Sequence, residues 1–427
     1  MNQRYYSLDV FRGATVALMI LVNNPGTWSH MFGPLKHAPW HGVTPTDLVF
    51  PFFLFAVGNA MAFVMPRLEA AGQVVFWRKV IKRSLLIFLI GLALNWWPFV
   101  QWRGEELVFR HWVNPDNPDR GVRIFGVLQR IAVAYFFASI LVYYVKGKKL
   151  IWSSMGILTL YWALCYAFGA PGDPYSLSGW FGTEIDKQII GVAHMYKGEG
   201  VPFDPEGIMS AMPSVIQVVF GYLAGHYIRA AGVVDWIWTR FNRALNSINT
   251  AVGSASGSET SASDQVKQQR TLRMLSGFLV IGILTTLIGL AWGLVFPINK
   301  KIWTSSYVFY TTGLAMLSIG VMIWYIEVLG IKNWFTRFFD VFGKNPLFIF
   351  VLSGLLPKTL ALVRWQAGTN ADGYPIYTSP LRWFYAEVCA KVPGPPEYGS
   401  FVYALCFLTL CWSIAYVLDK NKIYIKV

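Results

Sequence analysis

Leu48-Val49-Phe50-Pro51-Phe52-Phe53-Leu54-Phe55-Ala56-Val57-Gly58-Asn59-Ala60-Met61-Ala62-Phe63-Val64-Met65 carries no charged side chain from end to end. At 1.5 Å per residue a helix of that length rises about 27 Å, close to the roughly 30 Å of hydrocarbon in a bilayer. Comparable runs recur at about residues 8 to 24, 47 to 65, 80 to 98, 124 to 145, 150 to 169, 209 to 229, 274 to 296, 304 to 329, 345 to 363 and 401 to 418. They are continuous rather than alternating, and backbone in lipid must satisfy its polar groups internally, so helices are expected and a barrel is not. Of 427 residues, 55% are hydrophobic and 14% charged, far from the balance of a water-soluble domain. The fold class read from these runs is all-α: a polytopic integral membrane protein with about ten transmembrane helices.

The net charge of +14 would suit a nucleic-acid binder if the cations were clustered, but they alternate by side when laid on the runs. Arg67, Arg78, Lys79, Lys82 and Arg83 follow the second run, Lys146, Lys148 and Lys149 the fourth, Arg229, Arg240, Arg243, Lys267, Arg270 and Arg273 the sixth. Lys332, Arg337 and Lys344 follow the eighth, and Lys420, Lys422 and Lys426 end the chain. The intervening loops carry Glu105, Glu106, Asp116, Asp119, Asp173, Glu184, Asp186, Asp204 and Glu206. By the positive-inside rule both termini are cytoplasmic, the partner is the lipid bilayer, and nucleic acid is excluded as a partner.

The first run carries Asp9 and Arg12 and ends in Asn23-Asn24-Pro25-Gly26 without a small-residue cleavage pattern, so it is expected to stay as a span. Cys165, Cys406 and Cys411 fall inside runs and Cys389 in an outer loop, which is neither a disulfide framework nor a metal set; no metal is expected. Residues 1–427 read as a single transmembrane domain with one flexible cytoplasmic linker at about 246–269, rich in Ser, Ala, Thr, Gly and Gln. With no Asn-x-Ser/Thr sequon in the chain, a bacterial inner membrane is the expected location.

Polar groups concentrate between the first two runs, in Leu35-Lys36-His37-Ala38-Pro39-Trp40-His41-Gly42 and Thr44-Pro45-Thr46-Asp47. His37 is the candidate for proton transfer or nucleophilic attack. Asp47 opens the second run, where it can cap the helix or serve His37. Arg130 lies within the fourth run, where a charge costs about 2.5 to 3.5 kcal/mol on insertion scales. It calls for an ion pair, with Asp47 for example, or for contact with an anionic or carbonyl group. Arg78, Lys79, Lys82 and Arg83 at the cytoplasmic mouth of the third run read either as topology determinants or as a landing site for a phosphorylated cofactor. No Walker loop, dinucleotide fingerprint, nucleophile elbow or zinc helix is present in the sequence.

Ser7-Leu8-Asp9-Val10-Phe11-Arg12-Gly13, Lys36-His37-Ala38-Pro39-Trp40, Thr46-Asp47-Leu48-Val49-Phe50-Pro51-Phe52-Phe53, Gly126-Val127-Leu128-Gln129-Arg130, Asp204-Pro205-Glu206-Gly207 and Asn299-Lys300-Lys301-Ile302-Trp303-Thr304-Ser305-Ser306-Tyr307 are similar, in order, to segments of one family. Through them the chain resembles the heparan-α-glucosaminide N-acetyltransferases, as a compact bacterial relative. The resemblance implies acetyl transfer from cytoplasmic acetyl-CoA to an amino sugar or glycan acceptor on the periplasmic side. It implies His37 as the active histidine, with Asp47 and Asn23 in the same site, and Arg78, Lys79, Lys82, Arg83 and Arg130 as the donor's contacts. Trp40, Asp204, Glu206, Asn299 and Lys300 are the expected acceptor contacts. Ser353 stands where the lysosomal members carry a further histidine.

His37 can act as general base in a ternary complex or carry the acetyl group itself, and the first reading needs only one histidine and one carboxylate. An inner-membrane transporter of amino sugars or N-acetylglucosamine is the alternative to an enzyme. The oligomeric state is left open, a homodimer included.

Overall fold

The computed structural model describes residues 5–230 and 271–425, with two helix backbones continuing beyond them to 251 and from 259. Of the linker expected over 246–269, positions 246–251 and 259–269 have helical backbone as the end of one helix and the start of the next, and 252–258 lie outside the described residues. Helix α1 (Tyr6–Asn23) runs from one end of the bundle to the other, and after a compact loop α2 (Val49–Ala70) returns antiparallel. There follow α3 (Gln73–Trp96), α4 (Val127–Tyr144), α5 (Lys148–Phe168), the short α6 (Gly182–Ile190), α7 (Ile208–Ala251), α8 (Glu259–Gly293), α9 (Ser305–Ile323), α10 (Trp334–Lys344), α11 (Pro346–Leu360), α12 (Pro380–Glu387) and α13 (Pro396–Lys420).

Among the described residues, eight helices are long and apolar enough to cross a membrane, and a ninth if α10 and α11, bent by 82°, form one span. The chain is an all-α polytopic membrane protein, as the apolar runs require. The expected count of ten is reduced because α3, although helical over the expected stretch, carries Arg78, Lys79, Lys82 and Arg83 in its first half and is not among those eight. At the α10–α11 break Asn345 donates to Ile423 O at 2.9 Å and accepts from Ile425 N at 2.8 Å, so one amide ties the bend to the C-terminal segment.

Helices in lipid gain little from apolar burial against one another, and close approach through small residues supplies the packing. A Cβ on Gly58 of α2 would lie 1.9 Å from Val218 O of α7, and one on Gly221 of α7 2.1 Å from Phe55 O. Helices α2 and α7 therefore pack backbone to backbone. The loops between the helices are more regular than a helix-only reading anticipates. They contain antiparallel hairpins, β1 (Val100–Arg103) with β2 (Glu106–Phe109), β3 (Val113–Asn114) with β4 (Asn117–Gly121), and β5 (Trp365–Thr369) with β6 (Pro375–Thr378). Each pairs locally and leaves the helical frame unchanged.

Candidate active site

The loop between α1 and α2 folds back on itself because Asp47 gathers its donors. Thr44 and Asp47 form a capping box at the short helical turn Pro45–Leu48 that leads into α2. Asp47 Oδ2 accepts from Thr44 N, Thr44 Oγ1 and Ala38 N, each at 3.0 Å. Its other oxygen, Oδ1, lies 2.6 Å from His37 Nδ1. Capping and service to the histidine were alternatives in sequence; the carboxylate does both, one oxygen for each. The Asp47 side chain is 2% exposed and that of His37 40%, so a buried anion holds a ring that reaches open space. An ionised carboxylate only accepts, so Nδ1 carries the proton and Nε2 is left with its lone pair outward. Behind the pair, Tyr307 Oη donates to the Asp47 carbonyl at 2.5 Å.

The turn before α9 supplies the opposite wall. Asn299 Oδ1 accepts from Lys301 N at 2.7 Å and Ile302 N at 3.1 Å, which fixes the two lysines in divergent directions. Lys301 Nζ pairs with Glu199 at 2.6 Å and donates to Pro39 O at 2.7 Å. Lys300 Nζ turns inward, 3.1 and 3.3 Å from the two ring nitrogens of His37 and 3.5 Å from Asp47 Oδ1. Burial holds the Lys300 ammonium below its ordinary range, more than the Asp47 and Glu206 charges restore.

Asp204 and Glu206 enter through Arg123, whose guanidinium meets Asp204 Oδ1 and Glu206 Oε2, both at 2.5 Å. Burial pushes the Glu206 carboxyl up, but Arg123 and Arg130 outweigh it and hold it low. Arg130 is fully buried and makes no ion pair with Asp47. Its guanidinium donates to the carbonyls of Pro205 and Ser210 at 2.9 Å and of Gly207 at 3.0 Å, which pins the start of α7.

A cavity of about 190 Å³ opens between these walls, lined by His37, Trp40, Asp47, Glu206 and Lys300 among the expected residues, together with Arg123, Tyr196, Glu199, Lys301 and Trp303. Asp204 and Asn299 are buried behind it as supports. Asn23 is exposed at the end of α1 and is not part of the lining. A second hollow, of about 430 Å³, shares Arg123 and Tyr196 with the first and carries Arg110, His111, Arg120 and Lys197.

Deeper along the same helices, toward their other end, lie two further cavities. One, of about 410 Å³, is lined by Asp9, Arg12 and Asn59; the other, of about 270 Å³, by Arg12, Arg83 and Lys344. Phe76, Val80 and Ile87 form the buried face of α3, and Arg83 falls on it by helical spacing. All four cations are exposed, but Arg78, Lys79 and Lys82 fall off that face and only Arg83 lines the cavity. On α4, Val127 lines the His37 cavity and Ile131 the Arg83 cavity, four residues or about 6 Å apart along the axis. Phe50, which lies between Asp47 of the His37 cavity and Phe53 of the Arg83 cavity along the chain into α2, is in edge contact with Trp303 at 5.1 Å.

No family model matches the chain. Two curated relatives do, along nearly its whole length. The heparan-alpha-glucosaminide N-acetyltransferase of Mus musculus is 25% identical over 475 aligned positions, covering 99% of this chain and 60% of the relative. That of Homo sapiens is 25% identical over 477, with the same coverage. This chain is a distant relative of the heparan-alpha-glucosaminide N-acetyltransferases. It spans about 60% of the length of the relatives it matches.

Beside these acetyltransferases, the site holds residues that sequence reasoning passed over. Arg123, Tyr196, Glu199 and Lys301 come from loops between the helices, and only their convergence on the His37 cavity sets them apart. Arg12 pairs with Asp9 at 2.7 Å and also donates to Gly343 O. Ser353 is buried in α11 and donates to Phe350 O at 2.8 Å, within its own helix.

Proposed function

We propose that this protein is a transmembrane N-acetyltransferase of the bacterial inner membrane, passing the acetyl group of cytoplasmic acetyl-CoA to the amine of an amino sugar held at the His37 cavity. The observation that carries the reading is the 2.6 Å pair of His37 and buried Asp47, opening on a cavity at one end of helices that hold a cation-lined cavity deeper, toward their other end. Support for the chemistry comes from the acetyltransferase relatives. Support for the sidedness comes from Arg67, Arg78, Lys79, Lys82, Arg83, Lys146, Lys148 and Lys149, which gather at the Arg83 end and make it cytoplasmic by the positive-inside rule.

Arg12, Arg83 and Lys344 offer three cations to the phosphates of the donor, and the buried amide nitrogen of Asn59, without a hydrogen-bond partner among the described residues, lies in the adjoining cavity. The donor's acyl arm would pass the Phe50–Trp303 level to meet the acceptor. Held by Asp47, His37 takes the amine proton at Nε2 as nitrogen attacks the thioester carbon. The C–N bond forms, the C–S bond breaks, and the proton returns to the departing thiolate. Holding both substrates together is worth up to about 7 to 11 kcal/mol, and a placed base adds about 10² to 10⁴ in rate. Trp40 and Tyr196 give the sugar flat apolar faces, and Glu199 and Glu206 give its hydroxyls acceptors. The larger hollow beyond Arg123 gives room for a glycan longer than one sugar.

Replacing His37 with Ala tests the reading. In lipid nanodiscs with acetyl-CoA and glucosamine, the wild type is expected to form N-acetylglucosamine and the variant to fall to background while still eluting as a folded particle. Full turnover in the variant would remove His37 from the chemistry.

A further inference from the structure

We propose that Lys300 is a site of self-acetylation, an acceptor built into the enzyme that takes the acetyl group when no amino sugar is bound. The inference rests on the acetyl-transfer reading and adds to it a covalent modification that ends turnover. Lys300 Nζ is a primary amine, the functional group the reaction consumes. Its Nζ lies against the imidazole, 3.1 Å from Nδ1 and 3.3 Å from Nε2, and a turn of the lysine side chain brings it to the Nε2 lone pair, where an external amine would hand over its proton. A thioester carbonyl placed for an amine at that nitrogen is therefore within reach of this one as well, because a near-attack position is defined by the base and the carbonyl and not by what carries the amine.

Two features separate Lys300 from its neighbour. Lys301 is tied to Glu199 at 2.6 Å and to Pro39 O at 2.7 Å and points away from the histidine. Lys300 has its 3.5 Å approach to Asp47, whose Oδ1 is already engaged by His37 at 2.6 Å. Its side chain is 21% exposed, which leaves it open to the cavity, and burial favours the neutral, nucleophilic amine. In the step, Lys300 nitrogen attacks the thioester carbon, the N–C bond forms and the C–S bond breaks. The amine proton passes to His37 Nε2 and then to the thiolate, giving free CoA thiol and an acetamide. The amide is stable, removes a titratable amine beside Asp47 and fills part of a cavity of about 190 Å³. An enzyme short of acceptor thus becomes an inactive one, and bound acceptor protects it.

The test uses the wild-type protein in nanodiscs with acetyl-CoA, with and without glucosamine, followed by proteolysis and peptide mass spectrometry. Without glucosamine, the peptide containing Lys300 is expected to gain the mass of one acetyl group, several-fold more often than those containing the exposed Lys36 or Lys391, and glucosamine suppresses the gain. Lys300 left unmodified overturns the proposal. If glucosamine is acetylated in the same preparation, only the self-acetylation falls; if it is not, the acetyl-transfer reading falls with it. Equal modification of Lys36, Lys391 and Lys300 would mean background reaction with acetyl-CoA, and also overturns it.

Discussion

Asp47 does two jobs with two oxygens, and the division decides what its replacement would do. Oδ2 accepts three donors from Thr44 and Ala38, and an asparagine there would turn its carbonyl oxygen to them and its amide nitrogen to His37. That nitrogen can only donate, so Nδ1 would lose its proton and Nε2 would gain one. The base would face the substrate in the wrong tautomer. Asp47→Asn is therefore expected to lower kcat by about 10² to 10⁴ with KM for glucosamine little changed. Steady-state kinetics of the variant check this, and an unaltered kcat would make Asp47 a cap and nothing more. His37 and Asp47 were legible in sequence because their polar knot interrupts long apolar runs. Lys300, Glu206 and Trp40 could be named from the family resemblance. That Lys300 stands against the imidazole, while Asp204 and Asn299 stand behind it, depends on loop conformations that no spacing encodes.

Among the elements, the junction of α6 with α7 carries an unusual buried acid. Asp186 is fully buried, its Oδ1 accepts from Ile208 N at 2.9 Å at the start of α7, and its Oδ2 has no partner among the described residues. Burial pushes its carboxyl up from 3.8 to about 7, against the hydrogen bond from Ile208. A raised acid means that between about pH 4 and 7 the folded protein holds a proton the unfolded chain has lost. The contribution of Asp186 to stability is thus greatest at low pH and declines through that window, by up to about 1.4 kcal/mol per pH unit. Asp186→Asn keeps an oxygen for Ile208 and cannot ionise. Its melting temperature is expected to fall less than that of the wild type as pH rises from 4 to 7. Parallel curves, followed by differential scanning fluorimetry, would show Asp186 to be silent in this range. Helix phase accounts for another gap at this scale. Four cations on α3 looked equivalent as a basic run, but only Arg83 shares the face of Phe76, Val80 and Ile87 and so reaches a cavity.

Across the whole molecule, one set of helices carries cations at one end and the His37 cavity at the other. The all-α membrane class was plain from the length of the apolar runs alone, since length against bilayer thickness is the strongest constraint a membrane imposes. The number of spans was not, because a charged helix such as α3 and a sharp bend such as that at Asn345 both break the equation of one apolar run with one crossing. The hairpins in the loops between the helices were likewise hidden, their strands being too short to show a period. Two cavities lying one helical turn apart, yet sharing no lining residue, suit a donor and an acceptor that enter from opposite sides and meet at the Phe50–Trp303 level. The most direct test is an electron cryo-microscopy map of the protein in nanodiscs with a non-transferable acetyl-CoA analogue. The account predicts nucleotide density beside Arg12, Arg83 and Lys344 and the acyl end against His37; nucleotide density at the His37 mouth would contradict it.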